Sequence, residues 1–147
     1  MKRFFVFWMI CYLMLASPGF PGGDYKFLDA AGNEVLLPTD LPIYTQKKPG
    51  PWKGHEKEHR VAIRTKLRTA GLEMNYELTL FIPHPMTEKD RVEAIYLVDK
   101  DGLIVGYKAF TTSASEASAK ILINGVINYI QVYILCTHSL WKSEFHI

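Results

Sequence analysis

The segment Cys136-Thr137-His138-Ser139-Leu140-Trp141-Lys142 puts a thiol two residues from an imidazole, directly after a long run of strand-forming residues. Thiolate and imidazole are donors that transition metals such as iron and zinc prefer. An isolated Cys-x-His is ordinarily a small buried thiol beside a surface histidine. A metal reading therefore needs further ligands brought to the same end of the fold. The other histidines, His55, His59, His84 and His146, fall outside the predicted strand interiors, as His138 does. Histidines on loops at one end of a rigid scaffold are what a mononuclear site requires. Other chemistries lack their residues: there is no glycine-rich phosphate loop, no G-x-S-x-G, no H-E-x-x-H and no C-x-x-C.

Cysteine usage bears on the same point. Met1-Lys2-Arg3 is a basic start, residues 4–15 are uninterruptedly apolar, and Ala16, Ser17 and Gly19 are small. That order is the signature of a secretory signal peptide over residues 1–19, with cleavage between 16 and 23. Twelve apolar residues are short for a bilayer span, so a permanent anchor is the weaker reading. The expected location is periplasmic or secreted, with no membrane association after cleavage. Cys11 would leave with the signal, and Cys136 would be without an intramolecular partner. A lone thiol in an oxidising compartment needs burial, an intermolecular bond or a metal.

Bounds on the class follow from composition. The 147 residues suit one domain, and 48% hydrophobic with 22% charged residues describes a globular chain. The formal charge of +2 disappears if Lys2 and Arg3 are removed, since Lys+Arg then falls from 17 to 15 against 15 Asp+Glu. No basic excess marks a nucleic-acid binder.

The elements that must position these residues are strands. Residues 25–28 and 34–37 read as two short strands around the turn at 29–33. Pro38, Pro42, Pro49 and Pro51 make residues 38–54 an extended connection. Residues 20–54 thus form an N-terminal hairpin and connection, and 55–147 the metal-binding domain. Residues 60–67 form a strand candidate. Leu72, Met74, Tyr76, Leu78 and Leu80 alternate with polar residues, a period-2 strand with one buried face. Residues 92–98 and 103–110 flank Asp99-Lys100-Asp101-Gly102. Residues 120–123 and 126–135 flank Asn124-Gly125, the pair that favours a type I′ hairpin. Strands at this spacing predict an all-β, immunoglobulin-like antiparallel β-sandwich.

Three pieces of sequence resemble the iron-binding domain of the superoxide reductases, the desulfoferrodoxin and neelaredoxin family. Trp52-Lys53-Gly54 leads through Glu58-His59 into Val61-Ala62-Ile63, similar to that family's W-K-G-E-K-H-V-P-V-I. Pro83-His84-Pro85-Met86-Thr87-Glu88 is similar to its P-H-P-M-T-E. His138-Ser139-Leu140-Trp141-Lys142 is similar to the end of its C-N-x-H-G-L-W-K. The resemblance implies one iron held by four histidine nitrogens and an axial cysteine sulfur. An open position would take superoxide, which accepts one electron and two protons and leaves as hydrogen peroxide. His59, His84 and His138 carry over as metal ligands. Lys57, with its neighbour Glu58, is the candidate catalytic pair, a lysine offering positive charge to the anion. The implied partners are superoxide or another small anion and an electron donor of unknown identity, with a homo-oligomer also possible.

Departures from the pattern leave alternatives open. Asp90 stands where the family has its fourth histidine, Cys136 precedes His138 by two instead of three, and the Glu-Lys pair is inverted to Lys57-Glu58. Cys136 can ligate if the chain leaves β geometry by Leu135 through a bulge or turn, with Asp90 as an oxygen ligand. His55 can replace the missing nitrogen, or the site can hold another first-row metal or none. The rival function is a non-catalytic periplasmic sandwich that binds or carries a metal or sulfur compound.

Overall fold

The structure, a computed structural model, describes residues 26–147. The export reading and the start of the first expected strand fall on residues 1–25, outside the described residues. Eight strands are present: β1 (Ile43–Tyr44), β2 (Ala62–Ala70), β3 (Glu73–Ile82), β4 (Val92–Val98), β5 (Ile104–Ala109), β6 (Ala117–Asn124), β7 (Tyr129–Cys136) and β8 (Ser139–His146). They form a five-stranded sheet in the order β1-β8-β7-β4-β5 and a three-stranded sheet in the order β2-β3-β6. The two sheets pack as an all-β, immunoglobulin-like sandwich. The only helical pieces among the described residues are 3-10 turns at Gly50–Trp52 and Glu56–His59.

Alternation decides which side chains meet between the sheets. Leu78, Leu80 and Ile82 of β3 and Ala117, Ala119, Ile121 and Ile123 of β6 face Ile95 and Leu97 of β4 and Ile130, Val132 and Ile134 of β7. Burying one such aliphatic side chain contributes about 1.5–3 kcal/mol. The β4–β5 turn forms as the sequence predicts: Asp99 Oδ1 accepts from the amides of Asp101 and Leu103, both at 2.9 Å, and Gly102 has φ 83°.

Three expectations need correction. Asn124-Gly125 is not a hairpin turn. β6 pairs with β3 and β7 with β4 and β8, so the dipeptide begins a crossover between the sheets. A type I′ turn needs positive φ at both central residues, and only Gly125 has it, at 90°. Its N–H instead donates to the Met74 carbonyl at 2.9 Å. The two N-terminal strands reduce to an isolated bridge between Leu28 and Glu34. Within the Pro-rich connection, Ile43 and Tyr44 make a two-residue edge strand that runs parallel to β8, against Leu140 and Trp141.

Candidate metal centre

Three inward-facing rows reach the same end of the sandwich, and each closes on a donor. The β3 row Leu78, Leu80, Ile82 continues past the strand to His84, buried between exposed Pro83 and Pro85. Proline fixes φ near −65°, which restrains the chain on either side of His84 and preserves the alternation. The β7 row Ile130, Val132, Ile134 ends on Cys136, 2% exposed. His59, 1% exposed, heads the row that Val61 and Ile63 continue into β2. The 3-10 turn Glu56–His59 delivers it, and Arg60 is already extended at φ −79°, ψ 119°.

One nitrogen of each buried imidazole, together with the Cys136 sulfur, lies within 4.8 Å of the others. Backbone carbonyls set the tautomers. His59 Nδ1 is 2.9 Å from the His55 carbonyl and His84 Nδ1 is 2.7 Å from the Pro85 carbonyl. A carbonyl only accepts, so both Nδ1 atoms carry the proton and both Nε2 atoms present lone pairs. The buried His59 Nε2 has no hydrogen-bond partner among the described residues. Burial lowers the His59 pKa first, the His55 carbonyl raises it, and His84 lowers it again, so the ring is kept neutral as a ligand must be. Burial pushes the Cys136 thiol up to about 12, Asp90 adds to the shift, and the Ser139 hydroxyl opposes it. A coordinated cation reverses that balance, because it deprotonates the thiol outright.

These residues fit a metal ion. A buried nitrogen without a partner calls for a water or an ion. His84 Nε2 and Asp90 Oδ1 are 3.5 Å apart. Both are acceptors when the imidazole is neutral, so they face each other favourably only across a proton or a cation.

His138 and Asp90 stand beside this cluster and are not members of it. His138 Nε2–H donates to Asp90 Oδ1 at 2.9 Å, and its Nδ1 faces the Ser139 hydroxyl at 3.4 Å. Trp52 stacks on the His138 ring at 4.2 Å, and Trp141 stacks on His59 at 4.0 Å. The Trp141 indole N–H donates to Ser139 Oγ at 3.1 Å, and Ser139 is fully buried. Nothing in the residue type of Ser139 marks this role; its only signal in the sequence is its place directly after His138. Lys57 and Glu58 lie on the 3-10 turn before His59. Lys57 is exposed, and Glu58 is paired with His55 at 3.2 Å. His55 is therefore turned to Glu58, and its link to the centre is the carbonyl that holds His59.

The expected departure from β geometry at Leu135 does not occur. β7 stays paired through Cys136, with Leu135 opposite Leu140 and Cys136 opposite Ser139. The irregularity lies in β4, where the register with β7 shifts between Val92 and Ala94. Cys136 reaches the centre because it has the parity of Ile130, Val132 and Ile134, and Leu135 packs on the other face with Tyr96 and Tyr133.

No protein-family profile matches the sequence, and no curated protein matches it at a significant level. Three solved structures are similar. A hypothetical protein of Pyrococcus horikoshii is 22% identical over 62% of this chain and 89% of that one, with a TM-score of 0.47. A superoxide reductase in the oxidised state is 19% identical over 71% of this chain and 95% of its own, also at 0.47. The superoxide reductase (1Fe) of Giardia intestinalis is 18% identical over 56% of this chain and 95% of its own, at 0.37. The chain is similar to superoxide reductases in fold, at low sequence identity.

Proposed function

We propose that the chain is a mononuclear metal protein of the superoxide-reductase kind, with iron held by His59 Nε2, His84 Nε2 and Cys136 Sγ. The observation that carries this is the convergence of those donors within 4.8 Å, with the buried His59 nitrogen lacking a hydrogen-bond partner among the described residues. The choice of iron and superoxide rests on the residues shared with that family around His59, His84 and His138. When bound, the iron supplies one electron, and superoxide with two protons leaves as hydrogen peroxide, the electron being restored by an external donor.

The chain's own residues bind, orient and exclude water. The His55 and Pro85 carbonyls fix both imidazoles, and such outer hydrogen bonds are commonly worth 10–100-fold in metal affinity. Trp141 covers one face of His59. His138, with a side chain 33% exposed, stands beside the donors and holds a proton on Nε2 against Asp90. Lys57, exposed two residues before His59, supplies positive charge for an approaching anion. Export to the periplasm or the exterior belongs to this proposal and rests on residues 1–23. N-terminal sequencing of protein from its native host tests it, and an intact Met1 in the cytoplasm would overturn it.

A second reading has an observation of its own. Three clustered donors with a carboxylate nearby is a set that zinc also accepts, so a non-catalytic module binding another first-row metal is the alternative. Reconstitution with ferrous iron separates the two. One iron per chain, a thiolate-to-ferric absorption band after oxidation, and loss of that band in Cys136→Ser support the reductase. A colourless protein that takes zinc and not iron supports the module. Failure to bind either metal would sink both.

A further inference from the structure

The outer face of the three-stranded sheet has a composition that neither the core nor the metal centre explains. Counting outward from the buried residues, this face carries Arg64, Lys66 and Arg68 on β2, Glu77, Thr79 and Phe81 on β3, and Ser118, Lys120 and Leu122 on β6. The registers set them in rows: Arg64, Thr79, Lys120; then Lys66, Glu77, Leu122; then Ala62, Phe81, Ser118. Rows two residues apart are roughly 7 Å from one another, and neighbouring strands about 4.8 Å.

Glu77 is taken up within the face. Arg68 bonds it at 2.9 Å and holds its carboxyl below the usual range, with Lys120 and Lys66 adding to the effect. Arg64, Lys66 and Lys120 make no ion pair among the described residues. Two apolar side chains open to solvent adjoin them, Phe81 at 43% and Leu122 at 57% exposed, two rows apart with the row of Arg64, Thr79 and Lys120 between. Phe81 is flanked by Ala62 and Ser118, both small, so its ring stands above its neighbours. β2 and β6 are the edges of this sheet, and charge on an edge strand discourages strand pairing. That accounts for charge there, but not for its uniform sign, nor for a phenylalanine exposed on the central strand.

We propose that this face docks the acidic surface of a protein partner, with Arg64, Lys66 and Lys120 meeting carboxylates and Phe81 and Leu122 each making an apolar contact beside them. Exposed aromatic and aliphatic side chains interspersed with arginine are found in protein interfaces. The carboxylate of Glu73 on the same face opposes a continuous polyanion, whether nucleic acid or a plane of lipid phosphates, whereas a protein surface can meet it with a cation of its own. Three strands of about eight residues offer on the order of 400 Å², which belongs to the small interfaces of transient encounters. Binding is then weak, fast and salt-dependent.

An amide-resolved NMR titration of the protein tests this, using a synthetic glutamate-rich peptide with interspersed leucines, a DNA duplex, and phosphatidylglycerol vesicles. The expected result is that the peptide shifts amides in 62–68, 77–81 and 118–122 and that salt reverses the shifts. Arg64→Glu should weaken binding by about tenfold, while Lys100→Glu, the same change in net charge in the β4–β5 turn, should leave it unchanged. Phe81→Ser should weaken it without altering the salt slope. Shifts elsewhere, equal losses in the two charge reversals, or tighter binding of DNA or vesicles to this face would overturn the proposal. None of these outcomes depends on the metal.

Discussion

The two ends of the three-stranded sheet share the same strands and the same alternation, yet they differ in what covers them. At one end the inner row of β3 runs from Leu78 through Leu80 and Ile82, all fully buried, to His84. At the other end the same row contains Met74, 41% exposed, and reaches Leu72, which is fully exposed in the turn to β2. Leu67, on the inner row of β2, is 46% exposed as well. Period 2 fixes the face a residue belongs to; whether that face is buried depends on how far the opposite sheet extends. Cover is complete where β4, β7 and β8 lie across, and there the donors collect.

Substitutions along this one row should measure the difference. Leu80→Ala lies under full cover and is expected to lower unfolding free energy by about 2–5 kcal/mol, read from denaturant midpoints. A similar loss for Leu72→Ala would mean that the distal hairpin is covered in solution and would break the comparison. Metal should act only at the covered end. A saturating ion at about 100 times its dissociation constant should raise stability by about 2.7 kcal/mol, measured as a shift in melting temperature that chelator reverses. Cys136→Ser or His84→Ala should abolish most of that shift.

In the metal-free chain the two buried donors should limit stability from opposite sides of the pH scale. Burial holds the folded His59 pKa below the ordinary histidine value of 6.5, so the unfolded chain binds more protons as pH falls below that value, and stability declines on acidification. The folded Cys136 holds its proton to about 12, against an ordinary thiol value of 9.0, so stability declines as pH rises through that interval. Unfolding curves of the metal-free protein across pH check both slopes, and Cys136→Ala should remove the alkaline one. The smallest effect belongs to the uncovered end: Leu72→Ser should change stability by no more than about 0.5 kcal/mol.

These contrasts show which features were open to reading. The alternation of residues 74–80 was legible because β3 is buried on one face only, and the turn at 99–102 because Asp99 and Gly102 act locally. Asn124-Gly125 misled because its partner is set by distant pairing: β6 has to lie against β3, and no local rule carries that. The parallel pairing of Ile43 and Tyr44 involves two residues and left no pattern. At the centre, Cys136 and His138 stand out by type and spacing and His59 and His84 through the family resemblance, while His138 lies beside the donor cluster and not in it. Family spacing counted from His138 puts Leu135 toward the site, whereas the alternation through Ile130, Val132 and Ile134 gives Cys136 the inward parity that the structure has. Asp90 was legible as a departure, but its hydrogen bond to His138 depends on bringing together residues 48 apart in sequence.

The carbonyls, rows and stacked indoles that meet at the centre come from three distant stretches of chain. His59 and His84 are 25 positions apart (84 − 59) and His84 and Cys136 are 52 apart (136 − 84). No pair of these donors is neighbouring in the unfolded polymer, and closing loops of such length costs entropy before any contact rewards it. β2 and β3 form a hairpin locally, but the sulfur arrives only with β7, on the sheet laid over it. A complete donor set therefore forms only after the sheets have docked, late in a topology rich in distant contacts, of the kind that folds slowly. Metal uptake in a refolding experiment would then serve as a clock for the last assembly step, lagging the appearance of β structure.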